Sequence, residues 1–160
     1  MIRNGVIAGV VGTLAMDLVW FARDRAKGGQ QAFTSFEFGS SATGFEEAPA
    51  PARVGRYVAR LAHVELPDRL AGQTNNVVHW ATGITWGVFA AGLRSVPRVG
   101  PVRAGFIAAL SAFATSYVVL PKIGVYEPIT DYDSKTLWDD LSAHLVFGAA
   151  LGTSIGLLHD

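Results

Sequence analysis

Residues 5–22 read GVIAGVVGTLAMDLVWFA, and Asp17 is the one ionisable side chain in this apolar stretch. Its length is near the lower end of the roughly 17–25 residues that cross a bilayer core as a helix. Three further stretches share its apolar character, namely residues 77–93, 104–121 and 141–158. In lipid, a helix satisfies its own backbone hydrogen bonds within one segment. The pattern therefore predicts four membrane-spanning helices in a single domain that covers all 160 residues.

The composition favours an integral membrane protein of the all-α class, a four-helix bundle in contact with the lipid bilayer. Half of the residues are hydrophobic and 16% are charged, whereas a soluble domain carries about 25% charged residues. The net charge is zero, so nothing favours binding to nucleic acid. The chain has no cysteine, which excludes disulfides, thiolate metal sites and cysteine nucleophiles. No Walker, GxSxG, HExxH or CxxC motif occurs, so the sequence gives no indication of an enzyme.

A long loop, residues 23–76, separates the first two predicted spans. Its first part, residues 28–52, contains glycine, serine and proline and is expected to be irregular. Residues 52–66 place three aliphatic side chains on one helical stripe and three arginines on another, which predicts an amphipathic helix. These side chains are Val54, Val58 and Leu61, and Arg53, Arg56 and Arg60. Two placements of this helix remain open: it lies at the membrane surface, or it covers the end of the bundle without touching lipid.

The second and fourth predicted spans share the pattern His-x3-Gly-x3-Gly. The pattern starts at His79 in one span and at His144 in the other. A polar residue lies four positions before each histidine, Asn75 and Asp140 respectively. The correspondence predicts two repeated helical hairpins in one orientation, related by an axis along the membrane normal.

Small residues recur at the same spacing in the other two spans. The first and third spans align at an Ala-Gly pair that ends on Gly9 in one and on Gly105 in the other. Small residues four positions apart lie on one helix face and let two helix backbones approach closely. The glycines expected to pack the helices are Gly9, Gly83, Gly87, Gly105, Gly148 and Gly152.

Three ionisable side chains are expected at similar depth, towards one side of the membrane. Asp17 lies near the end of the first span, and His79 and His144 lie in the first turns of the second and fourth. Asp140 precedes His144 by one helical turn. An ionisable residue inside a membrane is costly and needs a partner or a task. We therefore expect Asp17, His79 and His144 to converge, with Asp140 nearby.

Four interpretations of this cluster remain open. In the first, the side chains hydrogen-bond to one another and stabilise the bundle, and no cofactor is needed. In the second, they form a proton or solute site, because histidine titrates near neutral pH. In the third, the two histidines and the carboxylates bind a divalent metal ion. In the fourth, the two histidines ligate a haem b.

Several short motifs are shared with a known family. They are the Gly-x-x-Ala-Gly start that ends at Gly9, the pair His79-Trp80, the Ala104-Gly105 start of the third span, Leu120-Pro121 followed by Gly124 and Pro128, and the acidic stretch from Asp139 to His144. On these motifs the chain resembles the YagU-like family of bacterial inner-membrane proteins. The resemblance covers all four predicted spans but not residues 28–73. It implies a multi-pass four-helix bundle in the bacterial cytoplasmic membrane, and it implies no established activity.

These observations predict a non-catalytic membrane protein, an accessory subunit or scaffold that packs against itself or against a larger membrane complex. The prediction rests on glycine-lined helix faces and on the lack of enzyme motifs. The alternative is a small transporter that handles a solute, a proton or a metal ion at Asp17, His79 and His144. A water-filled cavity that reaches this cluster would favour the transporter, whereas a dry packed core would favour the scaffold.

Overall fold

The computed structural model describes residues 1–39 and 42–158, and every regular element within these ranges is a helix. Six α-helices follow one another there: α1 (Ile2–Ala26), α2 (Phe33–Phe38), α3 (Ala50–Leu61), α4 (Ala71–Leu93), α5 (Pro101–Val118) and α6 (Ser134–Leu157). Short 3-10 turns lie at Asp68–Leu70, Leu120–Ile123 and Ile129–Asp131. The prediction of an all-α fold is confirmed.

Three of these helices are long and apolar enough to cross a membrane. They are α1, α5 together with the turn that follows it as far as Ile123, and α6. Only 28 to 33% of the residues in their apolar stretches are buried, so most of these residues keep part of their surface exposed. The amphipathic helix of a water-soluble protein shows the opposite pattern, with its apolar stripe inward. An outward apolar surface is what contact with lipid requires.

The remaining predicted span, residues 77–93, lies within α4, and α4 is not one of those three helices. Polar side chains explain the difference, because His79, Thr82 and Thr85 interrupt the apolar part of the helix. The helix also starts earlier than predicted, at Ala71. Length and hydropathy therefore support three of the four predicted spans.

The four long helices pack as two neighbouring pairs. Helix α1 runs along α4, helix α5 runs along α6, and the pairs meet where α1 contacts α6 and α4 contacts α5. The side-chain amide of Asn4 donates a hydrogen bond to the carbonyl oxygen of Leu158 over 2.8 Å. The first and last described turns therefore lie at one end of the helices. The end of α1 and the starts of α4 and α6 lie at the other end.

Small residues form the interior where these helices meet. Most members of the main buried cluster are alanines, and three larger side chains of α6 fill the space between them. Large apolar side chains such as Leu18, Val77 and Leu157 are instead more than half exposed, at 52%, 69% and 74%. Small interior residues allow the close backbone contact that holds helices together in lipid, where apolar side chains gain nothing by leaving the solvent.

The pair formed by α1 and α4 crosses at glycines. A methyl group added at Gly9 would lie 2.7 Å from the carbonyl oxygen of Gly83. One added at Gly87 would overlap Gly9 and the carbonyl oxygen of Gly5. The two backbones are therefore in direct contact, and any side chain at these positions would separate them.

The pair formed by α5 and α6 crosses in the same manner. A methyl group at Gly105 would overlap the carbonyl oxygen of Gly148 and would lie 2.8 Å from the Cα of Gly152. One added at Gly152 would lie 2.8 Å from the carbonyl oxygen of Pro101. The six glycines expected to pack the helices thus all lie at these two crossings.

Replacing Gly87 with alanine is expected to destabilise the protein by about 1–3 kcal/mol, because an added methyl group there overpacks the contact between α1 and α4. Gly92→Ala in the same helix is the matched control, since no neighbouring atom lies within 4 Å of its added methyl group. Alanine is the better helix former, so this control is expected to leave stability unchanged or raise it by up to about 1 kcal/mol. Unfolding free energies in detergent measure both. Equal effects would contradict the close crossing.

The loop between α1 and α4 is more regular than its composition indicates. The prediction of an irregular segment over residues 28–52 is wrong, because α2 forms within it and α3 begins before it ends. The segment between α2 and α3 forms a small second core around Phe45, which is fully buried. Alanines of the loop, of α3 and of the start of α4 surround this ring, so the loop is tied to the helix pairs.

Helix α3 corresponds to the amphipathic helix expected over residues 52–66, but it ends earlier, at Leu61. His63 adopts a left-handed conformation with a φ of 58°. The backbone N–H of Val64 then donates to the carbonyl oxygen of Ala59 over 2.9 Å, an arrangement that terminates helices. The helix packs against α4.

Candidate functional site

A cavity of about 790 Å³ lies at the end of the molecule where α1 finishes and α4 and α6 begin. Side chains from all four long helices line it, and α2, α3 and the connecting segments contribute the rest of the wall. Its ionisable lining residues are Asp17, Arg23, Asp24, Lys27, Glu37, His79, Tyr126, Asp140 and His144. The four residues predicted to form a polar or metal site, Asp17, His79, Asp140 and His144, therefore share one cavity.

Asp17 is buried because it lies on the face of α1 that packs against α4. Gly5, Gly9 and Thr13 precede it at intervals of four residues, which places all of them along one side of the helix. The Thr13 hydroxyl donates to the carbonyl oxygen of Gly9 over 2.8 Å, and only 5% of Asp17 is exposed. The close glycine crossing thus brings the Asp17 carboxylate against α4.

His79 of α4 meets this carboxylate directly. Its Nε2 lies 3.0 Å from both Oδ1 and Oδ2 of Asp17. An ionised carboxylate only accepts hydrogen bonds, so with Asp17 in that form the contact requires a proton on Nε2. The His79 side chain is 25% exposed and lines the cavity. Each ionisable group thereby gains the partner that burial demands.

Glu37 of α2 joins this pair. Ligand atoms of Asp17, Glu37 and His79 all lie within 4.8 Å of one another. Burial of Glu37, together with the charge of nearby Asp17, raises the pKa of its carboxyl group. Sequence reasoning missed this residue because it lies in the loop expected to be irregular. The available signal was an acid flanked by two aromatic residues in the stretch 36–38.

Aromatic contacts hold α2 against the end of α1 and the start of α4. The rings of Phe33 and Phe36 pack edge-on against Phe21, with centroids 5.3 and 5.4 Å apart. Phe38 stacks on Trp80 at a centroid distance of 6.4 Å. Because α2 is fixed to two helices at once, its carboxylate is brought to the pair formed between them.

His144 has a different partner. Its Nδ1 lies 3.0 Å from the carbonyl oxygen of Asp140 and 3.3 Å from Oδ1 of the same residue. The Tyr117 hydroxyl donates to Oδ2 of Asp140 over 2.9 Å. Phe113 packs edge-on against the imidazole at 5.6 Å. The residues expected to converge therefore form two separate acid–imidazole pairs around one cavity.

The connector between α5 and α6 adds an aromatic wall beside the second pair. Tyr117 packs edge-on against Tyr126 and Tyr132, with ring centroids 5.5 and 5.3 Å apart. Burial and the charge of Asp140 raise the pKa of Tyr126 to about 12. The Tyr126 hydroxyl is therefore neutral at physiological pH and adds no negative charge to the cavity.

Arg23 lines the cavity, but its guanidinium is engaged elsewhere. Nη1 donates to the carbonyl oxygen of Asp139 over 2.5 Å, and Nη2 donates to the Ser142 hydroxyl over 2.8 Å. The guanidinium also lies over the Trp20 ring, 4.9 Å from its centroid. These contacts join α1 to α6, so they do not compensate the carboxylates of the two acid–imidazole pairs.

Comparison with known proteins gives no further guidance to this site. The chain matches no model of a protein family, no curated protein and no solved structure. The resemblance to the YagU-like family stays a prediction. The residues of the site themselves offer imidazole nitrogens and carboxylate oxygens to a group that enters the cavity.

Proposed function

We propose that this protein is a small membrane transporter that binds a cation in the cavity between its two helix pairs. The observation that carries the proposal is the cavity of about 790 Å³ that reaches Asp17 and His79. For a scaffold or accessory subunit we expect a dry, fully packed core at this place instead. Cavities with a few convergent polar groups are where proteins bind small ligands.

The charge of the wall favours a cation. Four carboxylates line the cavity, those of Asp17, Asp24, Glu37 and Asp140. The formal positive charges in the wall are those of Arg23 and Lys27, and Arg23 is bonded to α6. Clefts lined by one sign of charge raise the local concentration of the opposite ion.

We further propose that α4 spans the membrane with α1, α5 and α6, so that the bundle has four spans. Two related hairpins around a central site form a common transporter architecture. The glycine crossings support this relation, because a methyl group at Gly87 meets the Gly5 carbonyl and one at Gly152 meets the Pro101 carbonyl. Residues 5 and 101 occupy corresponding positions when the two Ala-Gly pairs are aligned.

The acid–imidazole pairs differ between the two hairpins. The position that corresponds to Asp17 holds Phe113 in the second hairpin, and the position of Asp140 holds Asn75 in the first. Each histidine therefore takes its hydrogen-bonded acidic partner from a different position. The cavity thus contains two unlike acid–imidazole pairs.

The contacts of the two histidines do not favour the haem site that the sequence also allows. A haem iron bound by both histidines would take His79 Nε2 away from Asp17 and would leave that buried carboxylate without its partner. Association of the chain with itself or with a larger complex stays a prediction, as does the bacterial inner membrane as its location.

The four-span topology predicts which loops share a side of the membrane. The chain has no cysteine, so single cysteines at Ile2, Ser95 and Glu127 report accessibility without background. A thiol reagent that does not cross membranes is expected to label Ile2→Cys and Ser95→Cys from one side and Glu127→Cys from the other. Labelling of Ile2→Cys and Ser95→Cys from opposite sides would contradict the four spans.

Cation uptake by reconstituted vesicles tests the function. Wild-type protein is expected to take up a divalent metal ion, an alkali ion or protons in a saturable way. The His79→Asn variant is expected to show no uptake, because Nε2 no longer holds the Asp17 carboxylate in place. His63→Asn is the matched control. His63 is exposed and left-handed, a conformation that asparagine tolerates. Uptake of none of these ions by the wild type, or full uptake by His79→Asn, would overturn the proposal.

A further inference from the structure

We propose that Asp17, Glu37 and His79 form a binding site for one divalent transition-metal ion of the zinc and iron(II) class, and that this ion is the transported cation. The identity of the transported cation rests on the proposed function. The binding site itself rests on the geometry and chemistry of three side chains from three helices.

The spacing of the ligand atoms fits a metal ion. Bonds from zinc to imidazole nitrogen and carboxylate oxygen of about 2.0–2.2 Å separate neighbouring tetrahedral ligands by roughly 3.3 Å. His79 Nε2 lies 3.0 Å from each Asp17 oxygen, close to that separation. A ligand atom of Glu37 lies within 4.8 Å of both partners. The ion takes the place of the Nε2 proton, and a small inward shift of the Glu37 side chain completes the set.

The donor set selects the class of ion. Calcium and magnesium are bound by oxygen ligands alone, whereas an imidazole nitrogen suits zinc, iron, nickel and copper. The chain has no cysteine, so it offers no thiolate to a soft ion. Three protein ligands leave one tetrahedral position open, as in sites that exchange ligands, whereas purely structural zinc sites close all four.

The charge at the three side chains also calls for a divalent cation. Two carboxylates face a single imidazole in a region where Asp17 is almost fully buried. The Arg23 guanidinium is bonded to α6 and so is not available to them. Buried charges are stable only when they are paired or coordinate a metal, and a divalent ion with a neutral imidazole balances two carboxylates.

Because Glu37 lies on a different helix from its two partners, metal binding is expected to have a second effect. Asp17 and His79 belong to α1 and α4, whereas Glu37 belongs to the short helix α2, which aromatic rings hold in place. A bound ion therefore ties α2 to both long helices. Lys27, which precedes α2, is exposed, so metal binding is expected to slow tryptic cleavage of the segment between α1 and α2.

The test uses the full chain, purified in detergent and freed of metal with a chelator. Titration with Co²⁺ is expected to give a visible absorption band at one ion per chain, and Zn²⁺ is expected to displace it. Glu37→Gln is expected to weaken binding about 100-fold or more, because loss of a residue that merely orients a ligand already costs about 10–100-fold. Glu47→Gln is the matched control, since Glu47 is exposed and bonds to Thr43.

Each outcome of these experiments bears on the metal site, on the proposed function, or on both. Failure of the wild type to bind Co²⁺, Zn²⁺ or Mn²⁺ overturns the metal site, and so does equal binding by the Glu37→Gln and Glu47→Gln variants with unchanged helix content. Glu37-dependent binding together with slower tryptic cleavage supports it. Metal binding without uptake by vesicles overturns the proposed function and leaves the site standing. Uptake of another cation without metal binding overturns the metal site and leaves the proposed function standing.

Discussion

Asp17→Ala is expected to lower the free energy of unfolding by about 3 kcal/mol, because it leaves the imidazole of His79 without its partner inside the bundle. Removal of one member of a buried ion pair costs about 3–5 kcal/mol. The lower end applies here because the His79 side chain keeps 25% of its surface exposed. The same change is expected to abolish cation uptake by vesicles, since the carboxylate belongs to the proposed site.

Glu46→Ala is the control for this loss. Glu46 pairs with Arg56 at 2.8 Å, but its side chain is 89% exposed, and exposed pairs contribute about 0–1 kcal/mol. Unfolding in detergent, followed by far-ultraviolet circular dichroism, compares the two variants. A loss of about 0.6 kcal/mol for Asp17→Ala, the size of an ordinary hydrogen bond between membrane helices, would contradict the cost expected for this buried pair.

Thr82→Trp is expected to reduce cation uptake to the level of protein-free vesicles while the protein remains folded. Thr82 lines the cavity one turn beyond His79, and an indole there fills the space that a solute needs. In the proposed alignment of the two hairpins, the position that corresponds to Thr82 holds a large ring, that of Phe147, which also lines the cavity. A bulky side chain is therefore compatible with the helix packing on at least one side of the cavity.

Thr85→Trp is the matched control, because Thr85 is exposed on the same helix and is not part of the cavity wall. Its Oγ1 donates only to the Ala81 carbonyl of its own helix. This variant is expected to keep wild-type uptake. Equal uptake by Thr82→Trp and Thr85→Trp would show that the solute does not pass through the cavity.

The contact between Asp17 and His79 could be predicted from the sequence because it depends on local periodicity. Both residues continue a series of small residues at intervals of four, and helix geometry places each series along one face. Burial of a carboxylate then demands a partner. The same reasoning failed for His144, since its nearest acid, Asp140, comes from its own helix and the ring of Phe113 packs against the imidazole from α5.

The positions of the loop residues could not be predicted from the sequence in this way. Glu37 reaches the site only because rings of α2 pack on Phe21 and Trp80. The following segment is ordered because Phe45 inserts among alanines that are distant in sequence. These are tertiary contacts, and no periodic pattern within the loop specifies them.

The cavity itself depends on side-chain volumes at the meeting of the two helix pairs. Gly83, Thr82 and Ala112 line it, and small side chains there leave space that larger ones would fill. Sequence alone assigns such residues equally well to close helix packing, which is how Gly83 was interpreted. The distinction between a packed core and a cavity requires the positions of all four helices.

Access of water to the cavity tests the central claim most directly. In the cysteine-free chain, Thr82→Cys places one thiol in the cavity wall and Thr85→Cys places another on the outer surface of the same helix. A charged, membrane-impermeant thiol reagent added on the side of the α5–α6 connector is expected to modify Thr82→Cys rapidly. Bound Zn²⁺ is expected to slow this reaction. The same reagent is expected to leave Thr85→Cys unmodified. Failure of the reagent to modify Thr82→Cys from either side would contradict a solvated cavity and would favour a dry, packed scaffold.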